Sequence, residues 1–131
     1  MTHLHNYTLA ALRIATALVF IAHGTQKLFG FPGEGGGAGF SLPPLILAAA
    51  LLEVIGGLAV LVGAFTRPVA FVLSGQMAVA YWYAHAPKDW IFPINNGGEL
   101  AVILCFVFLY LAVAGAGALS VDAMRAKARA G

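Results

Sequence analysis

Four long apolar stretches constrain the fold of this 131-residue chain more than any other feature. Each is close to the roughly 20 residues that a helix needs to cross the hydrocarbon core of a bilayer. The stretches are residues 8–29, 43–64, 68–86 and 96–117. A soluble four-helix bundle needs a polar stripe on every helix, yet no charged residue lies between Pro68 and Pro87. We therefore predict an all-α integral membrane protein, a four-helix bundle that forms one domain over residues 1–131.

The composition agrees with a lipid environment, since 61% of the residues are hydrophobic and only 9% are charged. The first stretch contains Arg13 and lacks a clear cleavage site, so we expect it to stay as a helix rather than act as a secretory signal. Cys105 is the single cysteine, which excludes an internal disulfide. The net charge of +2 comes mostly from a basic C-terminal tail, which is too short and too poor in aromatic residues for a nucleic-acid site.

Basic residues near the helix ends predict the orientation in the membrane. With four spans, both termini and the turn at Arg67 lie on one side. Most of the seven Lys and Arg residues belong to that side, and Lys27 and Lys88 belong to the other. The positive-inside rule therefore places both termini in the cytoplasm and the two long loops outside.

Polar side chains form a stripe on the first helix. Arg13, His23 and Lys27 are separated by steps of three or four residues through positions 16 and 20, so they share one face. Lipid tails cannot form hydrogen bonds with such groups. Placing an Arg or Lys at the centre of a membrane helix costs about 2.5–3.5 kcal/mol of insertion free energy. We therefore expect the stripe to face the interior of the bundle, although Lys27 alone can also extend to the interface.

Helix depths predict two layers of partners for the stripe. At about 1.5 Å per residue from each helix midpoint, Glu53 is central and Arg13 lies about 8 Å to the inner side. This predicts a structural ion pair between Arg13 and Glu53. In the outer layer, His23, His85 and Glu99 share a depth and are the candidate catalytic, proton-handling residues. The candidate ligand-binding residues around them are Gln26, Lys27, Tyr81 and Asn96.

The residue types in the outer layer limit its chemistry. The sequence has neither the Glu-x-x-His repeats of a di-iron bundle nor a C-x-x-C-H motif for haem attachment. Haem between His23 and His85, or a single metal held by these residues and Glu99, stays open without a supporting motif. Proton-coupled binding of a quinone head group needs a His or Glu proton partner, a hydrogen-bond donor and apolar aromatic walls. All of these are present.

Three segments of the chain carry a family resemblance. They are LRIATALVFIAHGTQKLFG, LLEVIGGLAVLVGAFTRP and NGGELAVIL. Together they resemble the DoxX family of small bacterial four-helix membrane proteins, over about residues 9–122. The recurrent polar and glycine positions of that family correspond here to Arg13, His23, Gly24, Gln26, Lys27, Glu53, Gly56, Gly57, Asn96, Gly97, Gly98 and Glu99. The resemblance implies a redox-linked subunit of the cytoplasmic (inner) membrane of a bacterium, because the family is named for subunits associated with quinone-linked oxidation.

Two functions from different classes follow as hypotheses. The first is a subunit of a quinone-linked membrane oxidoreductase, with quinone as the expected cofactor. The alternative is a non-enzymatic small-molecule binder, or an assembly subunit with a chaperone-like role, that uses the same polar pocket. In both cases the expected partners are the lipid bilayer and either a protein subunit or a second copy of the chain. We expect neither a nucleic-acid partner nor a metal site.

Overall fold

The structure, a computed structural model, describes residues 2–131. The regular elements of these residues are all helical, which confirms the predicted all-α class. The α-helices are α1 (His3–Phe29), α2 (Pro44–Val62), α3 (Thr66–Ala80), α4 (Pro93–Asn96), α5 (Glu99–Ala114) and α6 (Val121–Ala130). A short 3-10 helix covers Gly39–Ser41, and a π-helix covers Tyr81–His85. Two of these elements, α1 and α2, are long and apolar enough to cross a membrane.

The described residues form two compact units. The first unit runs as far as Thr66 and also contains Ala116–Gly131, so the beginning and the end of the chain belong together. It holds α1, α2 and α6. The second unit consists of Arg67–Gly115, and it holds most of α3, the π-helix, α4 and α5.

Local signals set the ends of α1 and α2. The Thr2 side chain accepts a hydrogen bond from a backbone N–H of the first turn, so α1 begins at His3 rather than near residue 8 as predicted. It ends at Gly30, which adopts the left-handed conformation with φ 77°. Pro44 occupies the first position of α2, where its missing N–H has no helical partner. Gly63, with φ 68°, ends this helix close to the predicted boundary.

Small residues let α1 and α2 approach each other closely. A Cβ atom added at Gly24 would lie 2.9 Å from the carbonyl oxygen of Ala50 and 2.9 Å from the Cβ of Glu53. A Cβ added at Gly57 would lie 2.6 Å from the side chain of Ile21. Larger residues at these glycines would push the helices apart. These contacts fix the antiparallel register, in which Gly24 faces Glu53 and Ile21 faces Gly57.

The C-terminal segment is a structured part of the first unit. We predicted only a basic tail there, but α6 begins at Val121 after Ser120, whose side chain accepts a hydrogen bond from a backbone N–H 3.1 Å away. The backbone N–H of Asp122 donates to the carbonyl oxygen of Gly63 at 2.9 Å. The start of α6 is therefore bound to the end of α2.

Polar contacts also join the helices of the second unit. The hydroxyl of Ser74 in α3 donates to the carbonyl oxygen of Cys105 in α5 at 2.7 Å. Arg67 donates to the carbonyl oxygen of Val113 near the end of α5. Both bonds connect a side chain of α3 to the backbone of α5, so they fix the two helices against each other.

The last two predicted spans differ from the observed helices at their ends. The third, predicted over 68–86, consists of α3 and the π-helix that follows it without a break. The fourth, predicted over 96–117, is shorter and consists of α5. Gly97 (φ 71°) and Gly115 (φ 89°) adopt left-handed conformations that interrupt the helix on either side of α5. The segment that carries Asn96 is thereby separated from α5 as the short helix α4.

Candidate functional site

An ion pair joins α1 to α2 in the first unit. The Nζ atom of Lys27 lies 2.5 Å and 2.6 Å from the two carboxylate oxygens of Glu53. The side chain of Glu53 is 4% exposed and that of Lys27 is 35% exposed. A carboxylate buried this deeply in an apolar helix needs a counter-charge. The close approach of α2 at Gly24 brings Glu53 to the level of α1 at which Lys27 can reach it.

The predicted ion pair between Arg13 and Glu53 is wrong, because Glu53 is paired with Lys27. The helix register gives the physical reason. Glu53 packs against Gly24, which is about 16 Å along the helix axis from Arg13 and beyond the length of an arginine side chain. Arg13 lies beside Gly63 at the other end of α2, where a Cβ atom would be 2.9 Å from its Nη1. The sequence-based prediction placed the midpoints of α1 and α2 at the same depth, so it did not include this offset.

Arg13 is fully buried and donates its hydrogen bonds to backbone carbonyls. Nη2 donates to Leu119 at 2.8 Å, and Nη1 donates to Ala118 at 3.2 Å and to Ala116. A longer bond of 3.5 Å reaches Leu61 in the last turn of α2. Most of these acceptors lie in the segment between α5 and α6. Arg13 therefore attaches the C-terminal segment to α1.

The glycine-rich loop folds back onto the end of α1. The side-chain amide of Gln26 donates to the carbonyl oxygen of Pro32 at 2.9 Å, and the backbone N–H of Ala38 donates to the carbonyl oxygen of Lys27 at 3.1 Å. These two bonds hold the loop beside the Lys27 end of α1. The ligand-binding role of Gln26 stays a prediction.

Asn96 is the centre of a polar cluster in the second unit. It is 2% exposed, and its amide nitrogen donates to the hydroxyl of Tyr81 at 3.1 Å and to the carbonyl oxygen of Asp89 at 2.5 Å. Its amide oxygen accepts from the backbone N–H of Gly98 at 2.7 Å. Its own carbonyl oxygen lies 3.1 Å from Nδ1 of His85. Three residues predicted for the site, Tyr81, His85 and Asn96, therefore lie together; we call them the Asn96 cluster.

A contact of His85 with a carbonyl oxygen indicates that one of its two ring nitrogens carries a hydrogen. A carbonyl oxygen only accepts hydrogen bonds, so Nδ1 carries a hydrogen and donates it to Asn96. The neutral ring then presents Nε2 as an acceptor, and the charged ring presents it as a donor. The ring stacks on Tyr81, with 6.5 Å between the ring centroids. His85 is half-buried, so its ring is held in place while part of it stays accessible.

Asp89 stabilises the loop next to the Asn96 cluster. The sequence did not lead us to predict Asp89 as part of the site. One carboxylate oxygen accepts from the backbone N–H groups of Ile91 at 3.1 Å and Phe92 at 3.3 Å, and the other accepts from the Asn95 side chain at 2.8 Å. The hydrogen bond from Asn95, followed by the two backbone bonds, holds the pKa of Asp89 below its usual range. An Asp that bonds the N–H two residues later is typical of an Asx turn, so the signal was present in KDWIF.

The other two residues predicted to handle protons lie at exposed positions. His23 is on α1 in the first unit, and Glu99 is the first residue of α5 in the second unit. Their participation in one site with His85 stays a prediction. Among residues 2–131, no group of three His, Cys, Asp or Glu side chains is placed to hold a metal ion.

Comparison with known protein families shows which family this chain is related to. The model of the DoxX family matches residues 8–86, which is more than half of the sequence. The chain belongs to the DoxX family. The matched segment contains most of α1 and all of α2, α3 and the π-helix, so it includes both the Lys27–Glu53 pair and two members of the Asn96 cluster.

Bacterial relatives of this DoxX protein cover most of its length. It is 44% identical over 119 residues to an uncharacterized protein of Haemophilus influenzae, which covers 88% of this chain and 89% of the relative. It is 32% identical over 118 residues to inner membrane protein YphA of Escherichia coli, with 84% of each chain covered. It is also 32% identical over 136 residues to inner membrane protein YqjF of the same organism, with 93% and 95% covered. No solved structure matches the chain.

These relationships agree with the apolar helices of the structure. Two relatives are inner membrane proteins, and both α1 and α2 are long and apolar enough to cross a bilayer. The DoxX protein is therefore a bacterial inner-membrane protein, as predicted. Its Lys27–Glu53 pair and its buried Arg13 lie within these apolar helices, where charged groups require partners.

Proposed function

We propose that this DoxX protein is a subunit of a quinone-linked membrane oxidoreductase, and that the Asn96 cluster binds the quinone head group. The observation that carries the proposal is the hydrogen bond between Nδ1 of His85 and the carbonyl oxygen of Asn96, at 3.1 Å. This bond orients the ring and leaves Nε2 to exchange a proton with a ligand. An imidazole oriented through its other nitrogen is a common general acid and base.

Tyr81 supplies a second group suited to a quinone carbonyl. Its hydroxyl oxygen accepts a hydrogen bond from the Asn96 amide at 3.1 Å, so its own proton can be donated elsewhere. A quinone oxygen accepts hydrogen bonds, which the Tyr81 hydroxyl and a protonated His85 can both donate. The ring of Trp82, edge-on to Tyr81 with 5.4 Å between centroids, adds aromatic surface of the kind that flanks apolar ligands.

The residues of the cluster would handle protons, and the electrons would come from elsewhere. A bound quinone supplies two-electron, two-proton redox chemistry. His85 would hold or release a proton at Nε2, and Tyr81 would donate a hydrogen bond from its hydroxyl. We propose that a partner subunit with its own redox group supplies or removes the electrons. Glu99 belongs to the same unit as the cluster, and the proposal includes it as a proton-exchanging group; the role of His23, in the first unit, stays a prediction.

The proposal includes four membrane spans with both termini in the cytoplasm. The lengths of α1 and α2 support two of the spans. Together, α3 and the π-helix reach about the 20 residues needed for a third, and α5 is a shorter apolar helix. The distribution of Lys and Arg along the sequence supports cytoplasmic termini.

Titration of the purified full chain with a short-chain benzoquinone tests the binding step. Trp82 and Trp90 are the two tryptophans of the chain, and both belong to the second unit, so quenching of their fluorescence reports on a quinone bound there. We expect saturable quenching by the wild-type protein. We expect His85→Phe to weaken binding by about fivefold or more, because it keeps a ring against Tyr81 but loses a hydrogen bond to the ligand worth about 1–3 kcal/mol.

His3→Phe is the matched control, because His3 is exposed at the start of α1 in the first unit. This variant makes the same chemical change outside the proposed site, so its affinity for the benzoquinone should equal that of the wild-type protein. Equal affinity of the His85→Phe variant, or the absence of saturable quenching in the wild type, would argue against the quinone site. A protein without quinone binding that copurifies with a partner would instead support the assembly role.

A further inference from the structure

We propose that the C-terminal segment of the DoxX protein binds the headgroups of anionic phospholipids. The binding surface, which we call the tail surface, consists of Leu119, Met124, Arg125, Lys127 and Arg129. It combines exposed apolar side chains with basic side chains, and the first unit holds it at the end of a membrane helix. The proposal concerns lipid recognition and is independent of the quinone site.

The distribution of side chains around α6 is that of a helix lying at a membrane surface. At 100° per residue, Met124 lies on an apolar stripe with Val121 and Ala128. Arg125 and Arg129 lie along one edge of this stripe, and Lys127 lies along the other. A helix with an apolar stripe between basic edges places the stripe at the acyl boundary and the basic groups at the phosphates. Met124 is 64% exposed and Ala128 is also exposed, so the rest of the chain leaves this part of the stripe uncovered.

Hydrogen bonds hold the start of α6 at the end of α2. The backbone N–H of Asp122 donates to the carbonyl oxygen of Gly63 at 2.9 Å. Its two carboxylate oxygens accept from the backbone N–H groups of Phe65 and Thr66, each at 2.9 Å. Since α2 is a candidate membrane span that ends just before Gly63, α6 begins where the chain leaves the hydrocarbon region.

The Asp122 contacts persist at neutral pH. Burial raises the pKa of Asp122. The hydrogen bonds from Thr66 and Phe65 and the charge of Arg125 together lower it by more, so the pKa of Asp122 lies below its usual value. Asp122 is therefore ionised when the protein is in a neutral cytoplasm, and its carboxylate is already occupied by two N–H groups. Its single negative charge offsets part of the attraction, but the three basic side chains leave the surface with a net positive charge.

A further contact keeps α6 close to the membrane boundary instead of extending freely into water. The guanidinium of Arg125 lies over the ring of Phe65, 4.5 Å from its centroid. Phe65 follows the end of α2 and is 58% exposed. Leu119, 71% exposed, immediately precedes the helix, and its carbonyl oxygen is bound by Arg13 at 2.8 Å. These apolar side chains and Met124 are exposed near the start of α6, where the proposal places the lipid headgroups.

Charge complementarity selects anionic lipid as the partner. The tail surface carries three positive side chains within a helix of 10 residues, about 15 Å long. Each basic side chain near an anionic leaflet changes the binding equilibrium by about fivefold, so all three together change it by about 100-fold. Zwitterionic lipid offers the apolar stripe the same acyl boundary but lacks this electrostatic contribution.

A fluorescent label on Met124 tests the proposal in the full chain. The variant carries Cys105→Ala and Met124→Cys, is labelled with an environment-sensitive fluorophore, and is placed in nanodiscs of phosphatidylcholine with or without phosphatidylglycerol. We expect emission at shorter wavelength when phosphatidylglycerol is present, and reversal of this shift at high salt. Replacing Arg125, Lys127 and Arg129 together by glutamine should reduce binding by about 100-fold and abolish the dependence on phosphatidylglycerol.

Ala126→Cys provides the matched control, because Ala126 is exposed on the face of α6 away from the apolar stripe. Its label should report water in both lipid compositions. Emission from the Met124 label that is identical in the two compositions would overturn the proposal and favour a protein partner for the tail surface. An equal shift of the Ala126 label would also overturn it, since the stripe would then have no preferred contact with lipid.

Discussion

Arg13→Met is expected to lower the free energy of unfolding by at least about 3 kcal/mol, since each unsatisfied buried acceptor costs about 1–3 kcal/mol. Arg13 is fully buried and donates to the carbonyl oxygens of Ala116, Ala118 and Leu119. Methionine fills a similar volume but donates no hydrogen bond, so the carbonyl oxygens that Arg13 binds lose their donor. Equilibrium unfolding in mixed micelles of mild detergent and dodecyl sulfate measures the loss.

Arg67→Met is the matched control for this prediction. Arg67 also donates to a backbone carbonyl, that of Val113, but it is exposed, so water can replace its bond. We expect a loss of about 0.5 kcal/mol or less. Trypsin cleavage after Arg125 and Lys127 gives a second readout, because Arg13→Met should release the C-terminal segment and speed cleavage. Equal losses in the two arginine variants, with unchanged cleavage, would contradict the role assigned to Arg13.

Lys27→Met is expected to destabilise the protein more than Glu53→Leu does. It removes the counter-charge of a carboxylate that is 4% exposed, and breaking buried pairs in this way costs about 3–5 kcal/mol. Glu53→Leu leaves the ammonium group of Lys27, whose side chain is 35% exposed and can turn toward water, so its cost is smaller. The double variant should be more stable than Lys27→Met alone.

A double-mutant cycle measures this coupling, again by equilibrium unfolding in mixed micelles. Lys88→Met serves as the control for the loss of a lysine, since Lys88 is exposed in the loop after the π-helix. It should leave stability nearly unchanged. If the losses from Lys27→Met and Glu53→Leu simply add, the 2.5 Å contact between these residues contributes no pairwise stabilisation.

The existence of the helices was readable from the sequence, but the pairing of their charges was not. Apolar length and the positions of Pro44 and Gly63 indicated α2 almost to its ends. The partner of Glu53 depended on the offset between two helices, which the contact at Gly24 sets. The paired glycines Gly56 and Gly57 mark a face for close packing, but they do not say which residue of the neighbour meets it. The error of assigning Arg13 to Glu53 came from that missing offset.

The helix α6 was missed for a different reason. Its positive charges suggested a solvated tail, and the chain before it had been assigned to a span as far as residue 117. Ser120 followed by Asp122 and a run of alanines and basic residues is a recognisable capped helix. Its attachment to Gly63 joins residues that are far apart in sequence, and local patterns carry no information on such a contact.

Part of the candidate site was predictable from local spacing. Tyr81 and His85 are four residues apart, which places them on one helix face, and their rings stack in the π-helix. Asn96 was identified from the NNGG segment, and its bond to Tyr81 required the loop geometry that Asp89 stabilises. The predicted grouping of His23 with these residues depends on long-range packing, which no periodicity determines, and it stays a prediction.

Photo-crosslinking of a quinone to the full chain tests the proposed function most directly. Membranes that contain the protein are illuminated with an azido-benzoquinone, and the labelled peptides are identified by mass spectrometry. We expect the label between residues 81 and 99, displacement by an excess of unmodified quinone, and weaker labelling in His85→Phe. Label confined to α1 and α2, or labelling that excess quinone does not displace, would contradict quinone binding at the Asn96 cluster.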